Sequence, residues 1–263
     1  MCIDNTKKRK LDTIILENSE ISSGIYKMII ESKGIGKIAK PGQFVNLYCK
    51  QNSRILPRPI SICELDSVND TLKLVYGVVG KGTEEFSYMK KGDRIDILGP
   101  LGNGFFMDNE VTNHIIIGGG IGIPPLLELT KQLKGEKNVY LGFRSDAFLV
   151  EEFEKYGATV HIATDDGSSG LKGTVLDLLK NTNTNGQMIY SCGPKPMLKA
   201  VAEWAKKQQI KAQLSLEERM GCGIGTCVGC VCKIQAKGMD TWEYKKVCKD
   251  GPVFLSEEVV WDV

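Results

Sequence analysis

The sequence predicts a multi-domain α+β chain in three parts. An antiparallel β-barrel spans residues 1–102, an α/β domain with a parallel sheet spans 103–215, and a small cysteine-rich module spans 216–263. Three observations predict it. Short β-branched runs separated by turn residues fill the first hundred positions. From His114 onward, apolar runs alternate with helical segments. Five of the nine cysteines crowd between positions 222 and 248.

In the first part, Thr13–Leu16, Tyr26–Glu31, Gln43–Cys49, Thr71–Val79 and Arg94–Leu98 read as strands bounded by Gly, Pro, Asn and Asp. Several strands at this short spacing suit a small barrel. Gly82–Lys90 is its one helix-like piece, and Gly99-Pro100-Leu101-Gly102-Asn103-Gly104 marks the boundary. Beyond it, His114–Ile117, Val139–Phe143, Thr159–Ala163 and Met188–Ser191 read as strands. Between and after them, Pro124–Leu133, Phe148–Tyr156, Gly173–Lys180 and Pro194–Lys207 read as helices. Strand–helix alternation is the mark of βαβ units around a parallel sheet. Gln213–Leu216 offers one more strand, and Val253–Val263 a closing strand or tail.

Composition excludes several classes. Lysine plus arginine is 34 against 32 acidic residues, a net charge of +2, which argues against a dedicated nucleic-acid binder. Hydrophobic content of 42% with 25% charged residues is that of a folded globular protein. The longest uncharged apolar run, Ile115–Leu127, has 13 residues with four glycines and two prolines, whereas a spanning helix needs about 20. Met1–Lys10 is polar and basic with no apolar stretch after it, unlike a secretory signal. The Lys7-Lys8-Arg9-Lys10 run reads as a solvated terminus. The expectation is a cytoplasmic chain whose cysteines stay reduced, as metal ligands or buried thiols.

Cys222, Cys227, Cys230 and Cys248 give the spacing C-x4-C-x2-C…C, the plant-type [2Fe–2S] pattern. Two sulfide-bridged irons need four thiolates in two pairs. Glycines at 221, 223, 225 and 229 let the loop curl around such a cluster and turn backbone N–H groups toward its sulfurs. The alternative is a structural zinc site, which usually shows two short knuckles; here Cys248 stands alone. Cys232 is a spare thiol on a β-like run.

Glycine is abundant, at 29 residues. Ile115-Ile116-Ile117-Gly118-Gly119-Gly120-Ile121-Gly122-Ile123-Pro124-Pro125 reads as strand, glycine loop and helix start, a setting suited to a pyrophosphate. Ile123 stands where G-x-G-x-x-G would place its third glycine, so the standard dinucleotide fingerprint is absent. Ser191-Cys192-Gly193-Pro194 joins a second strand end to a helix on the same sheet. In the first part, Arg58-Pro59-Ile60-Ser61 sets a cation and a hydroxyl on an extended segment, and Gly77–Thr83 is another glycine turn leading into a helix. His114 and His161 lie in strands and read as structural.

Together these motifs resemble the ferredoxin–NADP reductase-like family, in which a flavin-binding barrel precedes a nicotinamide-nucleotide domain. Arg58-Pro59-Ile60-Ser61 resembles its R-x-[YT]-S flavin motif, with Ile60 in place of the usual aromatic residue. The resemblance implies that Arg58 binds the phosphates of FAD and that Ser61 hydrogen-bonds near flavin N5. It also implies that Pro59, Ile60, Val75, Tyr76, Gly77, Gly82 and Thr83 contact the cofactor. Gly119–Pro125 match the G-G-x-G-x-x-P loop for NAD, which implies NAD contacts at Gly118, Gly119, Gly120 and Gly122, and Cys192, Gly193 and Pro194 match the C-G-P motif beside the nicotinamide. Ser61 and Cys192 are thereby the expected catalytic pair. Arg144 is placed to meet a 2′-phosphate, yet the resemblance implies NAD.

Leu216–Cys230 and Cys248–Phe254 are similar to the electron-transfer subunits of type B dihydroorotate dehydrogenases. That resemblance implies a [2Fe–2S] cluster on Cys222, Cys227, Cys230 and Cys248. It also implies an FMN-containing dihydroorotate dehydrogenase catalytic subunit as partner, in a heterotetramer of two of each chain, within pyrimidine biosynthesis. Barrel, nucleotide domain and cluster module use up the length, and a TIM barrel of about 250 residues does not fit beside them. A rival is the flavin and iron–sulfur subunit of a sulfide dehydrogenase or of an NADH-dependent ferredoxin:NADP reductase. A zinc-bearing binding module is the reading from a different class.

Overall fold

The computed structural model describes residues 8–50, 54–182, 184–236 and 241–261. Cys2, Lys7 and the last two positions of the predicted closing segment lie outside these. The first strands are β1 (Arg9–Ser22), β2 (Ile25–Glu31), β3 (Phe44–Tyr48), β4 (Arg58–Asp66) and β5 (Thr71–Gly77). Helix α1 (Lys81–Ser87) and strand β6 (Arg94–Leu101) follow. The six strands close an antiparallel barrel in the order β1-β2-β5-β4-β3-β6. Period-two alternation fills it: Met28 and Ile30 of β2, Val45 and Leu47 of β3, and Leu72, Leu74 and Tyr76 of β5 share one buried core. Phe86 of α1 joins that core and meets Tyr76 edge-on at 6.3 Å.

Strand β4 is longer than the extended segment read from the sequence. Pro59 withholds a ladder donor near its start. A register shift between Ile62 and Glu64 then buries Ile62 and Cys63 in succession and interrupts the alternation a sequence reading relies on. The helix predicted at Gly82–Lys90 starts one residue earlier and ends at Ser87.

The remaining elements are β7 (Asn113–Gly119), α2 (Pro125–Gln132), β8 (Glu136–Phe143), α3 (Val150–Lys155), β9 (Thr159–Thr164), β10 (Leu171–Lys172) and α4 (Val175–Asn181). After these come β11 (Met188–Cys192), α5 (Lys195–Gln208), β12 (Lys211–Ser215), β13 (Val231–Gln235), β14 (Trp242–Lys246) and β15 (Val253–Leu255). Seven strands form one sheet in the order β10-β9-β8-β7-β11-β12-β15. Every pairing is parallel except that of β15 with β12. Both faces are covered, as a parallel sheet requires. Ile116 of β7 packs with α2 and α3, while Ile115 and Ile117 pack with α4 and α5. Thr174 caps α4 by exchanging hydrogen bonds with Asp177.

The last segment is welded to this core. Cys230, Ile234, Val247, Cys248 and Phe254 share one apolar cluster with Phe44 and Leu101 of the barrel and Leu198 of α5. β13 and β14 form a separate antiparallel hairpin.

Barrel and sheet are also tied by a polar latch. Glu128 of α2 is buried and accepts from the Leu65 N–H of β4 at 2.7 Å. Lys131 donates to the Leu65 carbonyl, and Gln132 donates to Glu128 at 2.6 Å. Beside them, Glu64 accepts from Lys73 and from the Tyr156 hydroxyl. Burial pushes the Glu64 carboxyl up, but these donors outweigh it and hold it below the usual carboxylate range. Among the described residues no helix is long and apolar enough to cross a membrane.

Candidate functional site

Three surfaces carry the residues singled out in the sequence. The first is the crevice between β7 and β11. These strands are adjacent and parallel, with Cys192 opposite Gly118. The sheet runs outward from β7 to β8 and from β11 to β12, so the strand order reverses between them. Open α/β sheets bind ligands at such switch points. The two glycine motifs meet there backbone to backbone: a side chain on Gly122 would begin 2.6 Å from the Gly193 backbone. A side chain on Gly119 would strike Met197 at 2.5 Å, and one on Gly193 would strike it at 2.4 Å. Met197 of α5 was not singled out by sequence; its one signal is its place in the first helical turn after Cys192-Gly193-Pro194. Gly120 adopts φ +51° and faces open space. Ser191 donates to the Ile117 carbonyl at 3.0 Å and pins the strand ends together. Burial pushes the Cys192 thiol up to about 12, so it stays neutral.

The second surface is the barrel face around β4. Arg58, Pro59, Ile60 and Ser61 lie opposite Leu47, Asn46, Val45 and Phe44 of β3. The Arg58 guanidinium rests on the start of α1, where a side chain on Gly82 would begin 2.2 Å from its Nε. The same guanidinium donates to the Leu56 carbonyl. Thr83 spends its hydroxyl on the helix entry, accepting from the Val79 N–H at 3.0 Å and donating to the Gly80 carbonyl at 3.0 Å. The Tyr76 ring points into the barrel, stacks on Tyr26 at 5.8 Å and donates to Asn18 at 3.1 Å. Val75, on the opposite face of β5, is buried with Cys63 against the α/β domain. Ile60 packs on the barrel core. The Ser61 hydroxyl has no protein partner among the described residues. Around this contact Ile55, Leu56 and Val79 are exposed. A fixed cation, a glycine close to it and exposed apolar side chains fit a dinucleotide that carries an aromatic ring system.

The third surface is the cysteine loop, and its thiols form two pairs. Cys222 Sγ accepts from the Ile224 N–H at 3.5 Å and the Cys227 N–H at 3.4 Å, with the Cys227 thiol beside it. Burial pushes the Cys222 thiol up, but these donors outweigh it and bring it down to about 6. Cys230 and Cys248 are both buried and lie beside each other. Burial and this neighbour push the Cys248 thiol up to about 12. The Val247 N–H donates to the Cys230 carbonyl at 2.8 Å, and Lys246 donates to the Gly225 carbonyl at 2.8 Å. Among the described residues no three metal-binding side chains converge on one ion position. Two thiol pairs on a ring of backbone N–H groups suit two bridged irons better than one tetrahedral ion. Cys232 turns away: its Sγ faces the Lys245 carbonyl at 3.7 Å.

The profile of the iron–sulfur cluster binding domain of dihydroorotate dehydrogenase B matches residues 217–260. A dihydroorotate dehydrogenase B (NAD(+)) electron transfer subunit from Caldanaerobacter subterraneus subsp. tengcongensis is 44% identical over 254 residues, 96% of this chain and 99% of that one. The chain belongs to the family of dihydroorotate dehydrogenase B electron transfer subunits. A Listeria monocytogenes member is 45% identical over 93% of this chain and 96% of its own. The fold of this electron transfer subunit family is also that of an NADH-dependent reduced ferredoxin-NADP oxidoreductase, with a TM-score of 0.84 and 30% identity over 95% of this chain and 90% of that chain. A Neisseria gonorrhoeae ferredoxin NADP+ reductase with bound FAD and NADP shares the fold at a TM-score of 0.61 and 18% identity, over 75% of this chain and 91% of its own.

Proposed function

We propose that this chain carries electrons from the FMN of a separate dihydroorotate dehydrogenase catalytic subunit, through a [2Fe–2S] cluster and FAD, to NAD+. The observation that carries the reading is the pairing of Cys222 with Cys227 and of Cys230 with Cys248, on a loop welded to the barrel and the sheet. In this reading residues 1–102 hold FAD, 103–215 hold NAD and 216–263 hold the cluster. FAD, when bound, supplies the exchange between the hydride chemistry of a nicotinamide and the single-electron chemistry of iron–sulfur.

The chain's own residues bind and orient. Arg58 neutralises the phosphates of FAD, with the α1 backbone at Gly82 beside it. Pro59, the backbone at Ile60, whose side chain packs on the barrel core, and the backbone of Val75–Gly77 would line the ring, and Ser61, without a partner among the described residues, would offer its hydroxyl near flavin N5. Thr83 keeps the helix entry rigid. Gly118, Gly119, Gly120 and Gly122 leave room for the NAD pyrophosphate, and Cys192, Gly193 and Pro194 flank the nicotinamide. The neutral Cys192 thiol packs and excludes water without acting as a base. The assembly is a heterotetramer of two chains of each kind, in the cytoplasm.

The test is anaerobic purification of the complex with its catalytic subunit, with iron, sulfide and flavin analysis and NADH formation from dihydroorotate. Iron and flavin in the chain, with Cys230→Ser stopping NADH formation, support the reading. A colourless, iron-free chain after reconstitution overturns it. The likeness to the ferredoxin-NADP oxidoreductase supports a second reading, in which the partner is a glutamate-synthase-like flavoprotein. Copurification with such a protein would favour it.

A further inference from the structure

Asn46 is a fully buried amide in the middle of β3. Its neighbours Val45 and Leu47 fill the barrel core, so Asn46 points out of the barrel on the face it shares with Phe44. Across the ladder it stands opposite Pro59, and Phe44 stands opposite Ser61. Residues paired across an antiparallel ladder share a face, so Asn46 sits on the face that carries Pro59 and Ser61.

The same side chain holds the cysteine loop. Its Nδ2 donates to the Cys222 carbonyl at 3.1 Å, across 176 positions of sequence. The carboxamide lies flat on Gly223, where a side chain would begin 2.6 Å from both Nδ2 and Oδ1. Gly223 also adopts φ +67°, a conformation costly for other residues. The Asn46 Oδ1 is buried with no hydrogen-bond partner. A buried orphan acceptor is costly, and such groups are rare unless a ligand or water satisfies them. This one lies against Gly223, on the side of β3 that pairs with Pro59 and Ser61.

We propose that Asn46 is the positioning residue that sets the seating of the cluster loop against the flavin strand. Its amide N–H fixes Cys222, and its free oxygen is the acceptor for a donor at the flavin side. This rests on the reading of Arg58–Ser61 as a flavin face and of Cys222 as a cluster ligand. A barrel fold needs no asparagine here, because a leucine would fill an outward position between Phe44 and Leu98 without an orphan acceptor. What the amide adds is a directional link between the two surfaces.

The test uses the full chain loaded with flavin and cluster. Asn46→Leu removes both polar groups at similar volume, and Gly223→Ala pushes on the same contact with Asn46 intact. Three quantities are read: the EPR spectrum of the dithionite-reduced cluster and, after anaerobic mixing with NADH, the rates of flavin bleaching and of cluster reduction. The expected result in both variants is an altered cluster EPR line shape. The rate of cluster reduction relative to flavin bleaching should fall in both, by about tenfold in Asn46→Leu, which loses one hydrogen bond in the docking of the loop. An unchanged EPR spectrum with an unchanged ratio of rates overturns the proposal, as does a parallel fall of both rates. Wild-type protein that binds neither flavin nor iron overturns instead the reading beneath it.

Discussion

Glu128→Ala removes a carboxylate that ties helix α2 to strand β4. In the folded chain this side chain is 2% exposed, accepts from the Leu65 N–H at 2.7 Å and from Gln132 at 2.6 Å, and faces Lys131 at 3.4 Å. Truncation leaves the Leu65 N–H buried without an acceptor. Hydrogen bonds to a charged group contribute about 1.5–3 kcal/mol each. Breaking a fully buried ion pair costs about 3–5 kcal/mol, but Lys131 is 30% exposed and regains water, so that range is an upper bound. The expected loss is about 2–3 kcal/mol. For a chain of this size it lowers Tm by roughly 5–10 °C at about 2–4 °C per kcal/mol. Glu128→Gln keeps an acceptor for Leu65, loses the charge and turns an NH2 toward Gln132, whose amide can flip to accept from it, so about 1 kcal/mol and a smaller shift are expected. The assay is thermal unfolding of the flavin-loaded chain, followed by far-ultraviolet circular dichroism and by flavin fluorescence. The latch joins the strand that begins with Arg58–Ser61 to the helix that follows the glycine loop. The same loosening should therefore raise KM for NADH more in the alanine variant than in the glutamine one. Equal shifts for the two variants, or a shift below about 2 °C for alanine, would refute the hydrogen-bond reasoning.

Gly122→Ala drives a Cβ to 2.6 Å from the Gly193 backbone, so NADH binding should weaken about tenfold while flavin content holds; titration of the flavin absorbance with NADH under anaerobic conditions checks this. Gly82→Ala meets Arg58 Nε at 2.2 Å and displaces the guanidinium, so FAD should be lost about tenfold more readily on dialysis, read as the flavin-to-protein ratio. Cys230→Ser should abolish iron and sulfide binding but leave flavin bound, because Cys230 lies in the core shared by the cluster loop and α5 and not in the barrel core; iron and flavin analysis of one preparation reads both. With its thiol raised to about 12, Cys192 carries a thiolate fraction of about one in ten thousand at pH 8, so iodoacetamide should spare it at pH 8 in peptide mass spectrometry, and labelling should rise only on strongly alkaline titration.

The parts of this fold that were legible in the sequence are those where one local rule acts alone. Ile115–Ile117 reads as a strand because three β-branched residues precede a glycine loop, and both faces of a parallel sheet accept them. The cysteine spacing is legible for the same reason: three cysteines on one short loop constrain each other locally. What was not legible depends on pairings distant in sequence. Asn46 reads as a polar residue in a strand. Its meaning comes from Cys222, which lies 176 positions later, and from Pro59 across the ladder. Met197 reads as one apolar residue on an amphipathic helix until Gly119 and Gly193 close on it from two strands. Thr83 and Tyr76 show the reverse effect. Their motif positions are visible in sequence, yet local capping uses the Thr83 hydroxyl and the barrel core takes the Tyr76 ring, leaving backbone for any ligand. A motif match therefore locates the segment that approaches a cofactor, and burial decides which atoms of that segment can reach it. By that criterion the Asn46 Oδ1, buried and without a partner, and the Ser61 hydroxyl, without a partner among the described residues, are side-chain atoms this face leaves for a ligand.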